Sequence, residues 1–386
     1  MRSTVLMISK PVVPPWNDSS KNLVKDLALA GTRFQYHVLT TPGQALAGAD
    51  VQSEPIYRDA GTFSPPLLQN ARVFARLLRQ DDTAVAHFFL APNRRATAAA
   101  RLALALRARR TVQTVCSAPA SFTDADRLLF ADRVVVLSRH AERRFREAGV
   151  DPRRLRRIPP GIDMPPLPSR DQRREARLRH GIPADRPAVI YPGDYQFSRA
   201  AATFAAAVER LADLPATFVF ACRVKQRASL AEEGLIRSRL AAAGLTPRVR
   251  MLREVSDMRS LLAACDLCVL PAETLYAKMD LPLVLLEALA LGVPIVVADR
   301  EPLVELLADD VGVGVPPCDP DALAAAVRAL VTDPQRRERL AETARAAARD
   351  RYTIGAVSRQ HEDLYQELLE SSARGPSRDG GPDPRR

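Results

Sequence analysis

The sequence predicts an α/β protein with two Rossmann-like, doubly wound parallel-sheet domains that face each other across a cleft. Three observations favour this class. A chain of 386 residues is long enough for two domains that each bury a core. Short apolar runs alternate with helical patterns, which is typical of βαβ units with parallel strands. The alternation is interrupted once, by the proline-dense stretch IPPGIDMPPLPSRD at residues 158–171, which we interpret as a linker.

The amino-terminal domain is predicted over residues 1–165. Its strands are short apolar runs such as TVLMIS, and helical patterns fill the intervals between them. We predict strands at residues 4–9, 36–40, 84–90, 111–115 and 133–138, and helices at about residues 19–30, 66–80, 93–109 and 139–148.

The carboxy-terminal domain is predicted over residues 166–352, where the alternation resumes. Ligands of such sheets bind beyond the carboxyl ends of the strands, so two facing sheets create a cleft for them. We predict strands at residues 187–192, 217–222, 248–252, 266–270 and 293–298, and helices at about residues 198–212, 228–243, 256–264, 283–291 and 320–331.

The end of the chain is predicted to return to the first domain. Residues 353–370 have the pattern of an amphipathic helix, which we expect to pack back on the amino-terminal domain. The last segment, SSARGPSRDGGPDPRR at residues 371–386, is rich in Gly, Pro and Arg, and we expect it to be disordered.

The stretch LPLVLLEALALGVPIVVA at residues 281–298 is at the lower length limit for a membrane span. An acidic residue such as Glu287 near the centre of a span costs roughly 3 kcal/mol, and Gly292-Val293-Pro294 would break the helix. We therefore predict a short buried helix, a tight turn and a buried strand. The amino terminus lacks the features of a secretory signal, and the five cysteines suit a reduced compartment. The expected location is the cytoplasm.

The net charge of +11 is concentrated in the first half of the chain. Residues 1–165 hold 25 Lys and Arg against 14 Asp and Glu, whereas the remaining residues hold 31 of each kind. The excess favours an anionic partner, either nucleic acid, an acidic lipid surface or a phosphorylated substrate. Nucleic acid is disfavoured because aromatic residues are not interleaved with the basic ones.

Peripheral contact with the inner face of an anionic membrane is one hypothesis that follows from this charge; the alternative is a solvated basic face. The arginines that would make the contact are Arg94, Arg95, Arg101, Arg107, Arg109 and Arg110, or the run from Arg139 to Arg157.

Several motifs occur in an order that is characteristic of one family. They are Pro14-Pro15 after the first strand, ADRVVVLS, IPPGID, a strand that ends in Pro192-Gly193, ACDLCVLP and finally LLEALALGVPIVVA. In these features the chain resembles the GT-B nucleotide-sugar glycosyltransferases, most closely the retaining family 4 (glycosyl transferases group 1), over roughly residues 4–370. The last motif is the most specific, because the family typically carries a Glu-Ala-x-Ala-x-Gly-x-Pro run there.

The resemblance implies transfer of a sugar from a nucleotide diphosphate to an acceptor, with the donor in the second domain and the acceptor in the first. It implies retention by front-face displacement, in which the leaving diphosphate takes the acceptor proton, and no metal or other cofactor. The acceptor would be a saccharide, a lipid-linked molecule or a small molecule. The alternatives are a GT-B pseudoenzyme or nucleotide-binding module that has lost catalysis, and a nucleotide-sugar epimerase.

The resemblance assigns Glu287 to the ribose hydroxyls of the donor, and the amino end of its helix, with Leu281, Pro282 and Leu283, to the diphosphate. A carboxylate is a strong acceptor for two hydroxyls, and the amino end of a helix offers free N–H groups to phosphate. The alternative for Glu287 is an ion pair with a buried arginine.

Two departures from the family pattern affect the expected donor site. Met279 replaces a second family glutamate, so either Asp280 takes over its contact or Lys278 is directed to phosphate; we favour the lysine. In the family's Gly-Arg-x4-Lys motif, Gly193 is kept, Asp194 replaces the arginine and Arg199 replaces the lysine. Arg223 and Lys225 follow a buried strand and would compensate.

Catalysis would then rest on charge stabilisation of the leaving diphosphate by Arg199 and Lys225, together with Glu287 and its helix. The alternative for Lys225 and Lys278 is a solvated charge at a strand end.

The acceptor side is expected around two positions. Asp18-Ser19 stand where the family carries Gly-Gly, and the alternative is an ordinary helix N-cap. His87 matches the first histidine of a family His-x-His, with Phe89 in place of the second, and its alternative is a structural role. No metal ligands are assigned, since Cys265-x-x-Cys268 and the two Asp-x-Asp triplets, at residues 124–126 and 319–321, are better explained as core residues, chance and a helix cap.

Overall fold

The computed structural model describes residues 2–60, 67–119, 121–224, 227–276 and 278–373. The described strands and helices of the amino-terminal half are β1 Thr4–Ile8, α1 Ser19–Ala30, β2 Gln35–Leu39, β3 Val51–Glu54, α2 Leu67–Leu78, β4 Thr83–Phe89, α3 Arg94–Leu106, β5 Arg110–Val115, β6 Arg133–Val136, α4 Arg139–Glu147 and β7 Leu155–Arg157.

The carboxy-terminal half continues the same alternation. Its described elements are α5 Arg170–Arg179, β8 Ala188–Asp194, α6 Ala200–Arg210, β9 Thr217–Arg223, α7 Arg227–Ala242, β10 Val249–Leu252, α8 Met258–Ala264, β11 Leu267–Leu270, α9 Leu283–Ala290, β12 Ile295–Ala298, β13 Gly312–Val315, α10 Pro320–Thr332, α11 Pro334–Tyr352 and α12 Ile354–Ala373.

The predicted fold class is confirmed, because the described strands form two entirely parallel sheets. The first has the order β3-β2-β1-β4-β5-β6-β7 and the second the order β10-β9-β8-β11-β12-β13. In each sheet the strand order reverses beside the first strand of the domain. Crevices for ligands form at such reversal points, at the carboxyl ends of the strands.

The apolar stretch at residues 281–298 folds as the sequence predicts. Helix α9 ends at Ala290, Gly292 adopts a positive φ of 67°, and β12 begins at Ile295. A positive φ is readily adopted only by glycine, which explains this residue between the helix and the strand. Among the described residues, none of the helices has the length and hydropathy that a membrane span needs.

Helix α12 returns to the amino-terminal domain. Ile162 and Thr353 form an isolated parallel bridge where the chain crosses back, and α12 then packs against α1. The Glu362 carboxylate accepts hydrogen bonds from the N–H groups of Thr32 and Arg33, at 2.7 and 2.8 Å, and from the Tyr36 hydroxyl at 2.9 Å. The carboxy-terminal helix therefore completes the core of the first domain.

Six of the described elements depart from the sequence prediction. Helix α5 begins at Arg170, inside the predicted linker, where Ser169 and Gln172 form a capping box. Strands β3, β7 and β13 and helix α11 were not predicted at all. Helix α12 extends through Ala373, so the expectation of disorder was wrong for residues 371–373, whereas residues 374–386 lie outside the described part of the chain.

Candidate active site

A cavity of about 1150 Å³ lies between the two domains at the carboxyl ends of both sheets. Its amino-terminal wall includes Ser9 and Lys10 after β1 and the end of β4. Its carboxy-terminal wall includes residues 192–194 at the end of β8, Arg223 at the end of β9 and the first turn of α9. The fold thus places a large cavity where both sheets direct their ligand-binding edges.

Glu287 lies in the wall of this cavity, on α9. Its Oε1 is 3.5 Å from Nε of Arg259, whose Nη1 in turn donates to Oδ2 of Asp163 at 3.2 Å. Burial raises the pKa of Glu287, and the charge of Arg259 opposes that rise. The geometry is therefore compatible with both interpretations of Glu287, the contact with a donor ribose and the ion pair. The residue lines the cavity, and its carboxylate is also paired with Arg259.

The first turn of α9 borders the same cavity. Pro282 is the N-cap and provides no side-chain cap, while Pro282, Leu283 and Val284 all line the wall. The first N–H groups of a helix have no partner inside it, so this turn can offer amides to an anion. Leu281 does not share this position, because it is only 2% exposed and packs in the core. Its assignment to the donor is corrected accordingly.

Asp194 and Lys278 form an ion pair at the floor of the cavity. Lys278 Nζ is 2.7 Å from Asp194 Oδ2, and the side chains are 13% and 3% exposed. Asp194 Oδ1 also accepts the N–H groups of Gln196 and Phe197, at 3.2 and 3.0 Å. Lys278 therefore reaches the predicted site, but a buried carboxylate neutralises much of its charge.

Asp280 is not in the cavity wall, and its predicted donor contact is corrected. It is 3% exposed, its carboxylate accepts a hydrogen bond from the Ser138 hydroxyl, and its N–H donates to the carbonyl of Cys116 at 3.0 Å. Burial raises its pKa to about 6, and the Ser138 bond opposes the rise. Asp280 connects the two domains instead.

Arg199 also lies away from the predicted position. Its side chain is 74% exposed and does not line the cavity, because the residue is the N-cap of α6 and its N–H donates to the Glu273 carboxylate at 2.8 Å. The catalytic role predicted for Arg199 is therefore not supported by its placement. Gly193 and Arg223 do line the wall. Lys225 lies outside the described residues.

Three cations in the wall, Lys10, Arg95 and Arg253, were not assigned to the site by the sequence analysis. Arg253 directly follows β10 and pairs with Glu233, Nε to Oε2, at 3.0 Å. Arg95, in the first turn of α3, lines the opposite wall. A search for charges just beyond each predicted strand would have found Arg253, because strand ends converge on the cavity.

Asp18 and Ser19 lie in the amino-terminal wall, and the N-cap interpretation is confirmed for Asp18. Oδ1 of Asp18 accepts the N–H groups of Ser20 and Lys21, at 3.1 and 3.3 Å, and Oδ2 pairs with Lys10 Nζ at 2.9 Å. Burial tends to raise the pKa of Asp18, but Lys10 and these hydrogen bonds lower it well below the usual range. The carboxylate is committed to these partners and keeps its charge.

His87 does not contact the cavity, and the structural interpretation replaces the predicted acceptor role. Its ring is fully buried, with Nδ1 2.6 Å from the Tyr365 hydroxyl and Nε2 2.7 Å from Oγ1 of Thr114. Burial lowers its pKa well below the ordinary value, so the ring is neutral. It binds α12 to β4 and β5.

The other motifs fall where the simpler explanations put them. Asp319 caps α10 by accepting the N–H groups of Asp321 and Ala322, at 3.0 and 2.9 Å. Cys265 and Cys268 are fully buried in the core. Of the arginines proposed to meet a membrane, Arg109 is instead paired with Asp81 at 2.7 Å and only 5% exposed.

The amino-terminal half of the cavity has an apolar arm that the sequence analysis did not identify. Helices α2 and α3, the end of β4 and the loop after β3 contribute to it. We define the apolar arm by Tyr57, Val73, Phe74, Leu77, Phe88 and Ala99.

Comparison with known proteins places this fold in a family. The family model Glycosyltransferase Family 4 matches residues 21–164, and the model Glycosyl transferases group 1 matches residues 172–347. The chain is 33% identical over 232 residues to a D-inositol 3-phosphate glycosyltransferase of Xylanimonas cellulosilytica, covering 57% of this chain and 53% of that protein. It is 31% identical over 205 residues to an alpha-D-kanosaminyltransferase of Streptomyces kanamyceticus, covering 51% and 50%. The chain thus spans about half the length of the curated relatives it matches.

Solved structures share the two-domain fold at lower identity. Anabaena HepE, crystallised with UDP and glucose, has 18% identity, a TM-score of 0.74, and coverage of 95% of this chain and 100% of that one. A sucrose-phosphate synthase from Thermosynechococcus elongatus has 19% identity, a TM-score of 0.78, and coverage of 96% and 100%. With adjoining family matches on its two halves and this shared architecture, the chain belongs to the GT-B glycosyltransferases of family 4, group 1.

Proposed function

We propose that the protein transfers a sugar from a nucleotide-diphosphate sugar to an acceptor inside the interdomain cavity. The observation that carries this proposal is the position of Glu287 and the uncapped first turn of α9 on one wall of the cavity. A carboxylate beside free helix amides suits a ribose next to a diphosphate. The UDP named with the structurally similar Anabaena protein supports the same class of donor.

The chain's own groups would supply the charge stabilisation. The amides of Leu283 and Val284 and the guanidinium groups of Arg223 and Arg253 border the carboxy-terminal half of the cavity. Electrostatic stabilisation of the charge that develops on a leaving group usually accelerates such reactions more than any other single effect. Lys225 remains part of the proposal as a residue that follows β9. We further propose that no metal ion takes part, so that chelation with EDTA leaves the transfer rate unchanged.

The proposed step retains the anomeric configuration. The acceptor hydroxyl oxygen attacks the anomeric carbon on the face from which the diphosphate leaves. The bond between that carbon and the phosphate oxygen breaks, and its electron pair stays on the diphosphate. The leaving diphosphate then takes the proton of the acceptor hydroxyl, so that the products are a glycoside and a nucleoside diphosphate.

Thermal unfolding with UDP-, GDP-, ADP- and TDP-sugars tests the donor site. A donor at 100 times its Kd is expected to raise the free energy of unfolding by about 2.7 kcal/mol. Glu287→Ala should abolish this stabilisation, whereas Glu175→Ala, in an exposed ion pair of α5, should keep it. Equal stabilisation in the two variants would refute the ribose assignment.

We also propose a cytoplasmic location, with peripheral contact to an anionic membrane through Arg94, Arg95 and Arg101, which are exposed on α3. Clustered arginines attract acidic lipid within about one Debye length, roughly 8–10 Å at physiological salt. Sedimentation with vesicles of phosphatidylglycerol at low salt should retain the protein, and Arg94, Arg95 and Arg101 changed together to Gln should release it. If the unchanged protein sediments with the vesicles no more than the triple variant does, the membrane proposal is refuted.

A further inference from the structure

The cavity is larger than one ligand needs. Small-molecule sites typically have volumes of about 300–1,000 Å³, whereas this cavity measures about 1150 Å³ and extends from Glu287 in one domain to helices α2 and α3 in the other. If the proposed donor occupies the carboxy-terminal half, the amino-terminal half remains for a second molecule.

We propose that the apolar arm binds an apolar portion of the acceptor, so that the acceptor is an amphiphile or an aromatic compound rather than a wholly polar sugar or sugar phosphate. This inference rests on the proposed function for the identity of the bound molecule as an acceptor. The arm itself is a feature of the cavity wall and can be tested on its own.

The side chains of the arm present hydrocarbon and aromatic surface. Val73, Phe74 and Leu77 come from α2, Ala99 from α3 and Phe88 from β4. Phe88 and Phe130 stack edge to face at 4.9 Å between ring centroids, which fixes the Phe88 ring. Contact with these side chains is favourable for an apolar ligand, because it removes apolar surface of both from water.

Polar groups at the arm are mostly committed to the protein. The Tyr57 hydroxyl donates to the carbonyl of Ser9 at 2.5 Å, so the ring is what remains for a ligand. The Asn93 side chain accepts the Ala96 N–H at 2.9 Å and donates to the Ala91 carbonyl at 3.0 Å. Sugar hydroxyls placed against such a wall would lose their hydrogen bonds to water without replacement, which is unfavourable.

The charges of the cavity lie outside the arm. Lys10 and Asp18 pair with each other beside the start of α1, and Lys278 pairs with Asp194 on the floor of the opposite domain. The polar part of an acceptor would therefore point toward the donor, where its hydroxyl must react, and the apolar part would point into the arm. Arg95 stands in the first turn of α3, beside the arm.

A pair of variants on one helix gives a matched test. Ala99 and Ala98 are both exposed residues of α3, but only Ala99 lines the cavity. The probe is the neutral fluorophore N-phenyl-1-naphthylamine, titrated into the protein. We expect saturable binding of one probe per chain, weakened about tenfold by Ala99→Gln, equivalent to 1.4 kcal/mol, and unchanged by Ala98→Gln. Non-saturable binding, or equal binding in both variants, would overturn the inference.

Competition then identifies the source of the apolar group. Displacement by dodecyl phosphate indicates a lipid-like acceptor, and displacement by 4-phenylphenol indicates an aromatic one; failure of both to displace the probe contradicts the proposal. The donor is measured separately, because Ala99→Gln should leave thermal stabilisation by nucleotide sugars unchanged. If the probe binds as expected but no nucleotide sugar stabilises the protein, the proposed function fails while the apolar site stands.

Discussion

A buried carboxylate, Asp194, and a lysine, Lys278, form an ion pair in the wall of the cavity. Asp194 stands where the family resemblance of the sequence predicts a phosphate-binding arginine, and Lys278 stands beside the position where it predicts a glutamate. The structure joins the two at 2.7 Å. The sequence analysis treated these substitutions as separate, since positions 194 and 278 are distant along the chain. In the folded protein the two side chains form one ion pair, so the charge of each substitution is balanced by the other.

We expect Lys278→Met to destabilise the protein strongly, because it leaves the Asp194 charge buried without its cation. Removing one partner of a buried ion pair typically costs about 3–5 kcal/mol, whereas the double variant Asp194→Asn with Lys278→Met should lose much less. Urea unfolding measures both. The exposed pair Glu175 and Arg179 provides the control, since Arg179→Met should cost no more than about 1 kcal/mol. Similar losses for Lys278→Met and Arg179→Met would argue against a role for the buried pair.

The placement of single residues was only partly predictable. The cavity is lined by Glu287, Gly193, Arg223, Asp18 and Ser19, because each lies at the carboxyl end of a strand, in the loop after one or on the helix that follows. The direction of a side chain depends on the residues that pack against it in space, and a sequence motif does not identify those residues. His87 sits at a strand end yet turns toward Thr114 and Tyr365, which lies 278 residues farther along the chain.

At the scale of elements, a pair of buried histidines lies where α12 docks on β4. The rings of His87 and His361 are 5.4 Å apart between centroids, and both residues are almost completely buried. Among the described residues, neither ring nitrogen of His361 has a hydrogen-bond partner. Burial lowers the pKa of His361 to about 3. The docking of this helix therefore depends on both rings staying neutral.

Acid should weaken this docking. A histidine in the unfolded chain has a pKa near 6.5. Between about pH 6.5 and pH 3 the unfolded chain therefore binds a proton at position 361, whereas the folded protein does not. The stability is complete above about pH 6.5 and is lost as the pH falls toward 3, by about 2 kcal/mol at pH 5. His361→Leu should reduce the loss between pH 7.5 and pH 5 by this amount, while Gln360→Leu, an exposed neighbour, should not. Chemical unfolding at the two pH values measures it, and an unchanged loss in His361→Leu would contradict the assignment.

The predicted elements were those with strong apolar periodicity, and the missed ones lack it. Strand β3 reads VQSE and β7 reads LRR, and β13 alternates glycine with valine. Strands β3 and β7 lie at the two edges of the first sheet and β13 at one edge of the second, where one side of the ladder has no neighbour among the described strands. These strands are stabilised by pairing with the neighbouring strand of the sheet, and not by a periodic pattern of apolar residues. Helix α11 is rich in arginine, and its core contacts are mostly alanines.

At the scale of the whole molecule, contacts hold the two domains together around the cavity. Glu305 accepts the N–H groups of Arg139 and His140 at the start of α4, at 2.9 and 2.8 Å. Arg143 pairs with Glu301 at 3.1 Å. Asp280 adds the bonds to Ser138 and Cys116 described above. These contacts form an interface beside the cleft, and a rotation that separates α4 from the second domain would have to break them.

We expect the association of the two domains around the cavity to depend on pH through Asp280. Its pKa is raised to about 6 by burial at the interface, compared with 3.8 for a hydrated carboxyl. The contribution of Asp280 to the free energy of domain association is therefore fully present below about pH 4, where the carboxyl is protonated in both states. It is lost as the pH rises through 6, and the loss is about 3 kcal/mol at most. Small-angle scattering should show a larger radius of gyration at pH 7.5 than at pH 5. Asp280→Asn should remove the difference, and a difference that persists in this variant would assign it to other groups.

The return of α12 to the first domain has a consequence for biosynthesis. The core around Tyr36 and His87 needs Glu362 and Tyr365, so this half of the protein cannot finish folding while those residues are still inside the ribosome. Domains generally fold as units during synthesis, the amino-terminal one first. In this chain the second lobe can fold before the first, whose core stays incomplete until Glu362 and Tyr365 have left the ribosome.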